Sequence, residues 1–440
     1  MAEKVIISGA GPVGSVMAML LARQGWQVRI LERRSDPRCN AAERGRSINL
    51  TLAARGLVAL EKAGVLDRLR HEMMPMQGRR MHELNGTGPL IPYGQTSQDS
   101  IHAISRARLN TALIEAADET PHVEIVFDAQ VVDVDPITGV VSWRDTQGRL
   151  HSEAPARLVL AADGARSGVR RALVERGLVQ VSEEPLDHDY KELNIPALPD
   201  GGWALEPSAL HVWPRRDFMA IAMPNPDGTL IATLFMPRDL FVELSAPEVA
   251  RRFFADKFPD LLRLIPDFEA EFVANPQSRL GTVRCFPWHV NRVLLIGDAA
   301  HAIVPFHGQG LNCGLEDCVL ISDLLERHQD PEAAFAEFNR TRRTDTEAIA
   351  AMAIENYRDL REGMLSADFV NRKELALALE RRFPNRFVPR YSMVTFRADI
   401  SYSEAMSRGA LQEQVLDALL AAGGVAEPGL AVQLLDRAGL

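Results

Sequence analysis

The stretch VIISGAGPVGSVMAMLLARQGWQVRILE, Val5 to Glu32, decides the fold. Val5-Ile6-Ile7-Ser8 is a short apolar run with β-branched residues and reads as a buried strand. Gly9-Ala10-Gly11-Pro12-Val13-Gly14 follows. Ser15 to Gln24 then carries apolar residues at helical spacing until Gly25 stops it. Gln27-Val28-Arg29-Ile30-Leu31-Glu32 is a second strand that ends in an acid. In such a β-α-β unit Gly9 allows the tight turn, Gly11 lets backbone approach a pyrophosphate, and Gly14 lets the helix pack on the strand. The helix N-terminus turns free N–H groups toward the phosphates. Glu32, 18 residues after Gly14, is placed to accept from ribose hydroxyls. The unit alone leaves FAD and NAD undistinguished.

Two later stretches separate them. Arg157-Leu158-Val159-Leu160-Ala161-Ala162-Asp163-Gly164 is a strand ending in an acid, followed by a basic turn and the helix of Val169-Arg170-Arg171. Arg292-Val293-Leu294-Leu295-Ile296 is another, leading into GDAAHAIVPFHGQGLN, Gly297 to Asn312. Read singly, such an acid is also what caps a helix. A bare nicotinamide domain has no need of two more acid-tipped strands aimed at one crevice, whereas a flavin with a ribityl chain does. Asp298 suits a ribityl hydroxyl, and Gly308 and Gly310 keep side chains away from an isoalloxazine edge. The N-terminus of the helix starting near Gly310 suits the pyrimidine, which becomes negative on reduction.

The 440 residues, 46% of them hydrophobic, suffice for a large core split into lobes. A net charge of -10 makes the chain a poor generic partner for nucleic acid or anionic lipid. Cys39, Cys285, Cys313 and Cys318 show no metal spacing and read as reduced thiols of a cytoplasmic protein. No signal peptide is expected at Met1-Ala2-Glu3-Lys4, and no apolar run is long enough to span a bilayer. The tail Leu411 to Leu440 reads as amphipathic helix and leaves three readings open: a cover over the active site, a homodimer contact, or a packed helix pair.

Between the motifs, Tyr190 to about Cys285 is rich in aromatic and β-branched residues with turn punctuation. Asn225-Pro226-Asp227-Gly228 is a hairpin turn between two such runs. The fold class expected is α/β. A discontinuous Rossmann-like FAD-binding domain (1–182 plus 286–330) carries an inserted antiparallel substrate domain (183–285), and a helical C-terminal region follows (331–440).

The three motifs in this order resemble the single-component aromatic hydroxylases that use FAD. Arg46-Ser47-Ile48-Asn49-Leu50, Tyr190-Lys191-Glu192-Leu193, His211-Val212-Trp213-Pro214-Arg215 and Leu234-Phe235-Met236-Pro237 narrow the resemblance to the kynurenine 3-monooxygenases. So do Pro305-Phe306-His307-Gly308-Gln309-Gly310 with Glu316-Asp317-Cys318, and Tyr391-Ser392-Met393-Val394-Thr395-Phe396. The resemblance runs from about Lys4 to Ala405. It implies hydroxylation of L-kynurenine to 3-hydroxy-L-kynurenine with NADPH and O₂, through a flavin C4a-hydroperoxide, NADPH visiting without a binding domain of its own. It implies cofactor contacts at Val13, Leu31, Glu32, Arg33, Arg34, Thr51, Arg106, Val131, Asp298, Leu311 and Asn312, beside Gly9, Gly11, Gly14, Asp163 and Gly310 of the motifs. It implies substrate contacts at Arg79, Tyr93, Asn356 and Tyr391, with Arg80 a rival to Arg79, and with Phe235, Phe306 and His307 in the pocket.

An arginine fork and a tyrosine hydroxyl suit a carboxylate, although alone each reads as a solvated arginine or a packed ring. The ring amine activates its own ortho carbon, so no general base is assigned; His307, Asn356 and Tyr391 are the polar candidates, and His301 supports its turn. Two rivals differ in chemistry: a hydroxylase of a modified kynurenine or other aromatic acid, and a non-catalytic flavin-bound binding protein.

Overall fold

The computed structural model describes residues 3–39, 48–96, 98–363, 367–423 and 428–440. The Arg46-Ser47 part of the run singled out above lies outside them. The chain forms two compact units. Met1–Met73, Ile104–Leu186 and Gly281–Thr346 make the first; Met74–Ala103, Asp187–Leu280 and Glu347–Leu440 make the second.

The first unit is built on the β-α-β stretch. β1 (Lys4–Ser8), α1 (Pro12–Arg23) and β2 (Gln27–Leu31) fall where the periodicity placed them. β1 pairs in parallel with β2 on one side (Val5 opposite Val28) and with β4 (Leu158–Ala161) on the other (Val5 opposite Leu158). β3 (Val123–Val126) extends the β2 edge and β6 (Val293–Leu295) the β4 edge, both parallel; β5 (His289–Val290) closes the β6 side antiparallel. The three acid-tipped strands β2, β4 and β6 therefore lie in one parallel run, β6-β4-β1-β2, with β1 between β4 and β2, and end at the same edge. Continuous apolar runs such as Val5-Ile6-Ile7 and Leu158-Val159-Leu160 are fully buried, as a parallel sheet covered on both faces requires. Helix α2 (Gly310–Arg327) buries Leu315, Cys318, Ile321 and Leu324 in the same core as Met17 and Leu21 of α1.

The second unit centres on a seven-stranded sheet. Its order is Ser278–Phe286, Gln180–Ile195, Leu230–Pro237, Phe218–Pro224, Ala209–Arg215, Gly78–Glu83, Gly86–Pro92. The Asn225-Pro226-Asp227-Gly228 turn does close a hairpin, with the Asn225 amide donating to the Thr229 carbonyl at 2.9 Å and Gly228 at φ +85°. The sheet is mixed, because Ala209–Arg215 runs parallel to Gly78–Glu83 and places Leu210 opposite Arg79.

One sequence expectation, a sheet throughout Tyr190 to about Cys285, needs redrawing. Residues 238–274 are helical (Arg238–Glu243, Pro247–Lys257, Pro259–Arg263, Phe268–Ala274) and pack Phe254, Phe258, Phe268 and Phe272 on the sheet; prolines at the first helical positions mark two of the starts. The segment Met74–Ala103 joins the second unit, and the helix Pro331–Thr341 stays with the first, so the compact units cut across the boundaries 1–182, 286–330 and 331–440. The tail helices Tyr402–Ala421 and Pro428–Ala438 share a core of Leu375, Leu379, Phe387, Leu416, Leu419 and Leu435, which is the packed helix pair.

Candidate functional site

In the first unit, Gly11 precedes α1 with extended backbone and no side-chain cap, and Pro12 opens the helix. The first-turn amides therefore lack intrahelical acceptors. Nothing lies within 4 Å of where a Gly11 Cβ would sit, whereas a Cβ on Gly14 would stand 2.0 Å from the Gly9 carbonyl oxygen. Gly9 holds φ +100°, where an added Cβ would meet the Ala162 carbonyl oxygen at 2.7 Å. Gly9 and Gly14 close the turn and Gly11 leaves it open, as a bound pyrophosphate requires.

Glu32 is buried. Its Oε2 accepts from the Ala10 amide at 2.8 Å, and its Oε1 accepts from the amide and Nε of Arg34 at 2.9 and 2.8 Å. Burial pushes its pKa up, but the bonds and charge of Arg34 outweigh it and the carboxyl stays below its usual value. Oε2 keeps acceptor capacity for a hydroxyl. Leu31 and Val131 are buried, while Arg33 and Arg34 are exposed. Asp163 gives Oδ2 to the Gly168 amide at 2.8 Å, so it does serve the helix start; its other oxygen, Oδ1, is buried with no partner among the described residues. Burial raises its pKa. A buried acceptor of this kind costs free energy until a donor reaches it, and the hydroxyls of a dinucleotide are such donors.

The third motif turns on Gly297, at φ +55°, ψ -142°. Val13 packs against it and against Gly314, where an added Cβ would come within 2.8 Å of Val13 Cγ2. The glycine turn and the GDAAH turn are thus in contact. Asp298 is exposed, yet protein surrounds it closely enough that burial is the main cause of its raised pKa, with His301 and Arg106 pulling it back.

His301 lies 2.7 Å from Asp317 Oδ2, which also accepts from the Gly297 amide at 2.9 Å; Asp317 Oδ1 accepts from Arg342 Nε at 2.9 Å. Burial would lower the His301 pKa, but Asp317 wins and lifts it to about 10. His301 is therefore an imidazolium that fixes the turn. Cys313 offers a third ligand atom to this pair, but the imidazolium and Arg342 both oppose a metal cation there.

Asn312 spends its whole side chain on the scaffold. Oδ1 accepts from the Ala53 amide at 2.8 Å, and Nδ2 donates to the Thr51 and Gly308 carbonyls at 2.9 and 2.8 Å. Gly308 is left-handed at φ +68°, and a Cβ there would stand 2.4 Å from Thr51 Oγ1. A cofactor role for Asn312 is confined to its backbone, beside Gly310 and Leu311 in the first turn of α2. Arg106, exposed, begins the helix Arg106–Asp118 and is a charge felt by Asp298. Phe306 is buried and His307 half-buried, in the short turn before Gly308.

The second unit brings three predicted substrate residues together. Tyr93 stacks on Tyr391 with centroids 5.4 Å apart and planes at 13°. The Arg79 guanidinium carbon lies 5.4 Å from the Tyr93 centroid and 4.9 Å from that of Tyr391. Burial acts to lower the Arg79 pKa, but the tyrosines raise it and it remains a cation. The Tyr93 hydroxyl is buried, with no hydrogen-bond partner meeting it among the described residues, and burial pushes its pKa up. Arg80, the rival to Arg79, is committed to Glu206 at 2.6 Å. Asn356 is buried in the helix Arg343–Arg358. Phe235 packs on Tyr190 at 6.2 Å.

Two ionisable residues of this cluster escaped the sequence reading. Lys373 Nζ lies 6.0 Å from the Tyr391 centroid, and burial, then Arg79, lowers its pKa to about 7. Asp359 is raised by burial, with Arg390 and Arg79 acting against that. Nothing in sequence marks either, since lone charges at helical spacing look like a solvated face.

The fold and the site define an FAD-dependent monooxygenase. Residues 2–344 match a family described as an FAD binding domain. A kynurenine 3-monooxygenase of Xanthomonas axonopodis pv. citri (strain 306) is 43% identical over 418 residues, 94% of this chain and 91% of that protein. One from Myxococcus xanthus (strain DK1622) is 41% identical over 421 residues, covering 95% and 90%. The chain belongs to the kynurenine 3-monooxygenase family and is a flavoprotein enzyme. Among solved structures, the tetrameric form of 2-methyl-3-hydroxypyridine-5-carboxylic acid oxygenase matches with TM-score 0.69 at 21% identity, covering 84% of this chain and 95% of that one. PqsL of P. aeruginosa in complex with 2-aminobenzoylacetate matches with TM-score 0.64 at 22% identity, covering 83% and 98%. These last two share the fold. No helix among the described residues is long and apolar enough to cross a membrane.

Proposed function

We propose that this chain hydroxylates L-kynurenine to 3-hydroxy-L-kynurenine with NADPH and O₂. The observation that carries the reading is Arg79 set beside the stacked pair Tyr93 and Tyr391, in a chain 43% identical to an enzyme of that name. Bound FAD supplies the hydride-accepting and oxygen-transferring chemistry. The chain's own residues position. Arg79 offers a guanidinium fork to the substrate carboxylate, and the Tyr93 hydroxyl adds a donor. Tyr391 and Asn356 orient the amino-acid head and the ketone, and Phe235 lines the ring. Glu32 holds a ribose, Asp163 and Asp298 hold hydroxyls of the ribityl–pyrophosphate span, and the first turn of α2 neutralises charge on the reduced pyrimidine. No general base is needed, because the ring amine itself donates electrons to the carbon that is hydroxylated. The first unit is the FAD-binding part and the sheet of the second is the substrate-binding part. A cytoplasmic location is supported by four free thiols, Cys39 exposed and the others buried.

The test is NADPH oxidation by the FAD-loaded protein, with and without L-kynurenine, the product identified by mass and retention time. Strong stimulation with 3-hydroxykynurenine formed is the expected result. Stimulation yielding only peroxide, or none, overturns the substrate assignment and leaves the flavoprotein class standing.

A further inference from the structure

A cavity of 370 Å³ opens in the second unit, lined by Asp99, Glu380, Arg381, Val388, Ser392 and Phe396 among others. That volume lies within the range of small-molecule sites, about 300–1,000 Å³. Gln95 ties the loop beside it to the helix Ala367–Arg382. Its Nε2 donates to the Leu377 carbonyl at 2.8 Å and to Glu380 Oε2 at 3.0 Å, and its Oε1 accepts from Arg381 at 3.1 Å. Asp99 gives Oδ2 to the amide and hydroxyl of Thr96, at 2.8 and 3.1 Å, which leaves Oδ1. Arg381 has no carboxylate partner among the described residues. Burial and the nearby Asp99 push the Glu380 carboxyl up and outweigh the Gln95 hydrogen bond and the Arg381 charge, which act against them.

An acidic pair alone would mean little. Ser392 supplies an independent observation: it lines the cavity, is 5% exposed, and its buried hydroxyl has no hydrogen-bond partner among the described residues. The wall thus presents anionic groups, a guanidinium, an apolar floor and an unsatisfied hydroxyl. The complement is a zwitterion with an aromatic body and a polar ring substituent.

We propose that this cavity binds a second molecule of aromatic α-amino acid, its ammonium on Asp99 and Glu380, its carboxylate on Arg381, its ring on Val388 and Phe396, and a ring substituent on Ser392. The identity of the amino acid as L-kynurenine rests on the function proposed above. The cavity adjoins the substrate cluster through the chain itself: Gly94 follows Tyr93, Ser392 follows Tyr391, and Phe396 stands edge-on to Tyr391 at 6.5 Å and 74°. Occupancy bears on the tyrosine pair and slows turnover, so excess substrate inhibits.

The experiment is an equilibrium titration of the FAD-loaded full chain with L-kynurenine, alongside Arg381→Glu and the near-isosteric Glu380→Gln. Two molecules per chain are expected in the wild type. Either substitution weakens the looser site at least roughly tenfold, as loss of a charge-assisted contact does, leaves the tighter site unchanged, and relieves inhibition at high substrate. One molecule per chain, or a second bound equally well by both variants, overturns this inference and leaves the proposed function intact. No binding at all removes both.

Discussion

In the first unit His301, Asp317 and Arg342 are buried together, and each charge meets an opposite one within 2.9 Å. In the second unit Arg79 is equally buried, but its neighbours are the stacked rings of Tyr93 and Tyr391. A closed ion network fixes a backbone turn, whereas a cation held by neutral aromatic residues keeps its net charge for an anion. Under the function proposed above, the difference separates a scaffold for the cofactor from a receptor for an anion.

Breaking the closed network has the largest expected effect. Asp317→Ala leaves the buried His301 imidazolium without its carboxylate, while Arg342 keeps Glu316 at 2.7 Å, and costs about 3–5 kcal/mol, measured by denaturant unfolding of the FAD-loaded protein; a loss below about 1 kcal/mol would mean that His301 is compensated elsewhere. The same network carries a pH signature. His301 titrates near 10 when folded, above its ordinary 6.5, so its contribution is fully present below about pH 6.5 and is lost as pH rises toward 10. Unfolding midpoints should fall across that window, and the slope should flatten in His301→Gln.

The receptor side is sharpened by smaller effects. Arg79→Met removes hydrogen bonds to a charged group, about 1.5–3 kcal/mol, so kcat/KM for L-kynurenine drops roughly ten- to hundredfold while FAD content stays unchanged. Tyr93→Phe removes one neutral donor, about 1 kcal/mol or some fivefold, read as KM. Smallest is Lys373, whose amine titrates near 7 beside Arg79 and Tyr391. A kcat/KM for L-kynurenine that falls as pH rises through about 7 in the wild type, and is flat there in Lys373→Met, assigns that ionisation to it; an unchanged profile removes Lys373 from the site.

The two regions were not equally legible. Gly9, Gly14 and Gly297 announce the flavin side because a positive φ or a close backbone approach restricts the residue to glycine, and apolar runs locate the parallel strands around them. What the resemblance did not show is the work of the Asn312 side chain, whose amide is a strut between Thr51, Ala53 and Gly308. On the receptor side Arg79, Tyr93 and Tyr391 emerged through resemblance, since nothing local says that residues so distant in sequence will stack. The parallel pairing of Gly78–Glu83 with Ala209–Arg215, which draws Met74–Ala103 into the second unit, has no local signal either. Lys373 and Asp359 stayed hidden because their surroundings in the fold, absent from the sequence, are what shift them.

The most direct test of the receptor assignment is a thermodynamic cycle: binding of L-kynurenine and of its decarboxylated amine to the wild type and to Arg79→Met. If Arg79 takes the carboxylate, decarboxylation costs at least roughly tenfold in the wild type and little in the variant, a coupling of about 1.5 kcal/mol or more. Equal losses in both proteins would contradict the account, because the carboxylate would then be held elsewhere.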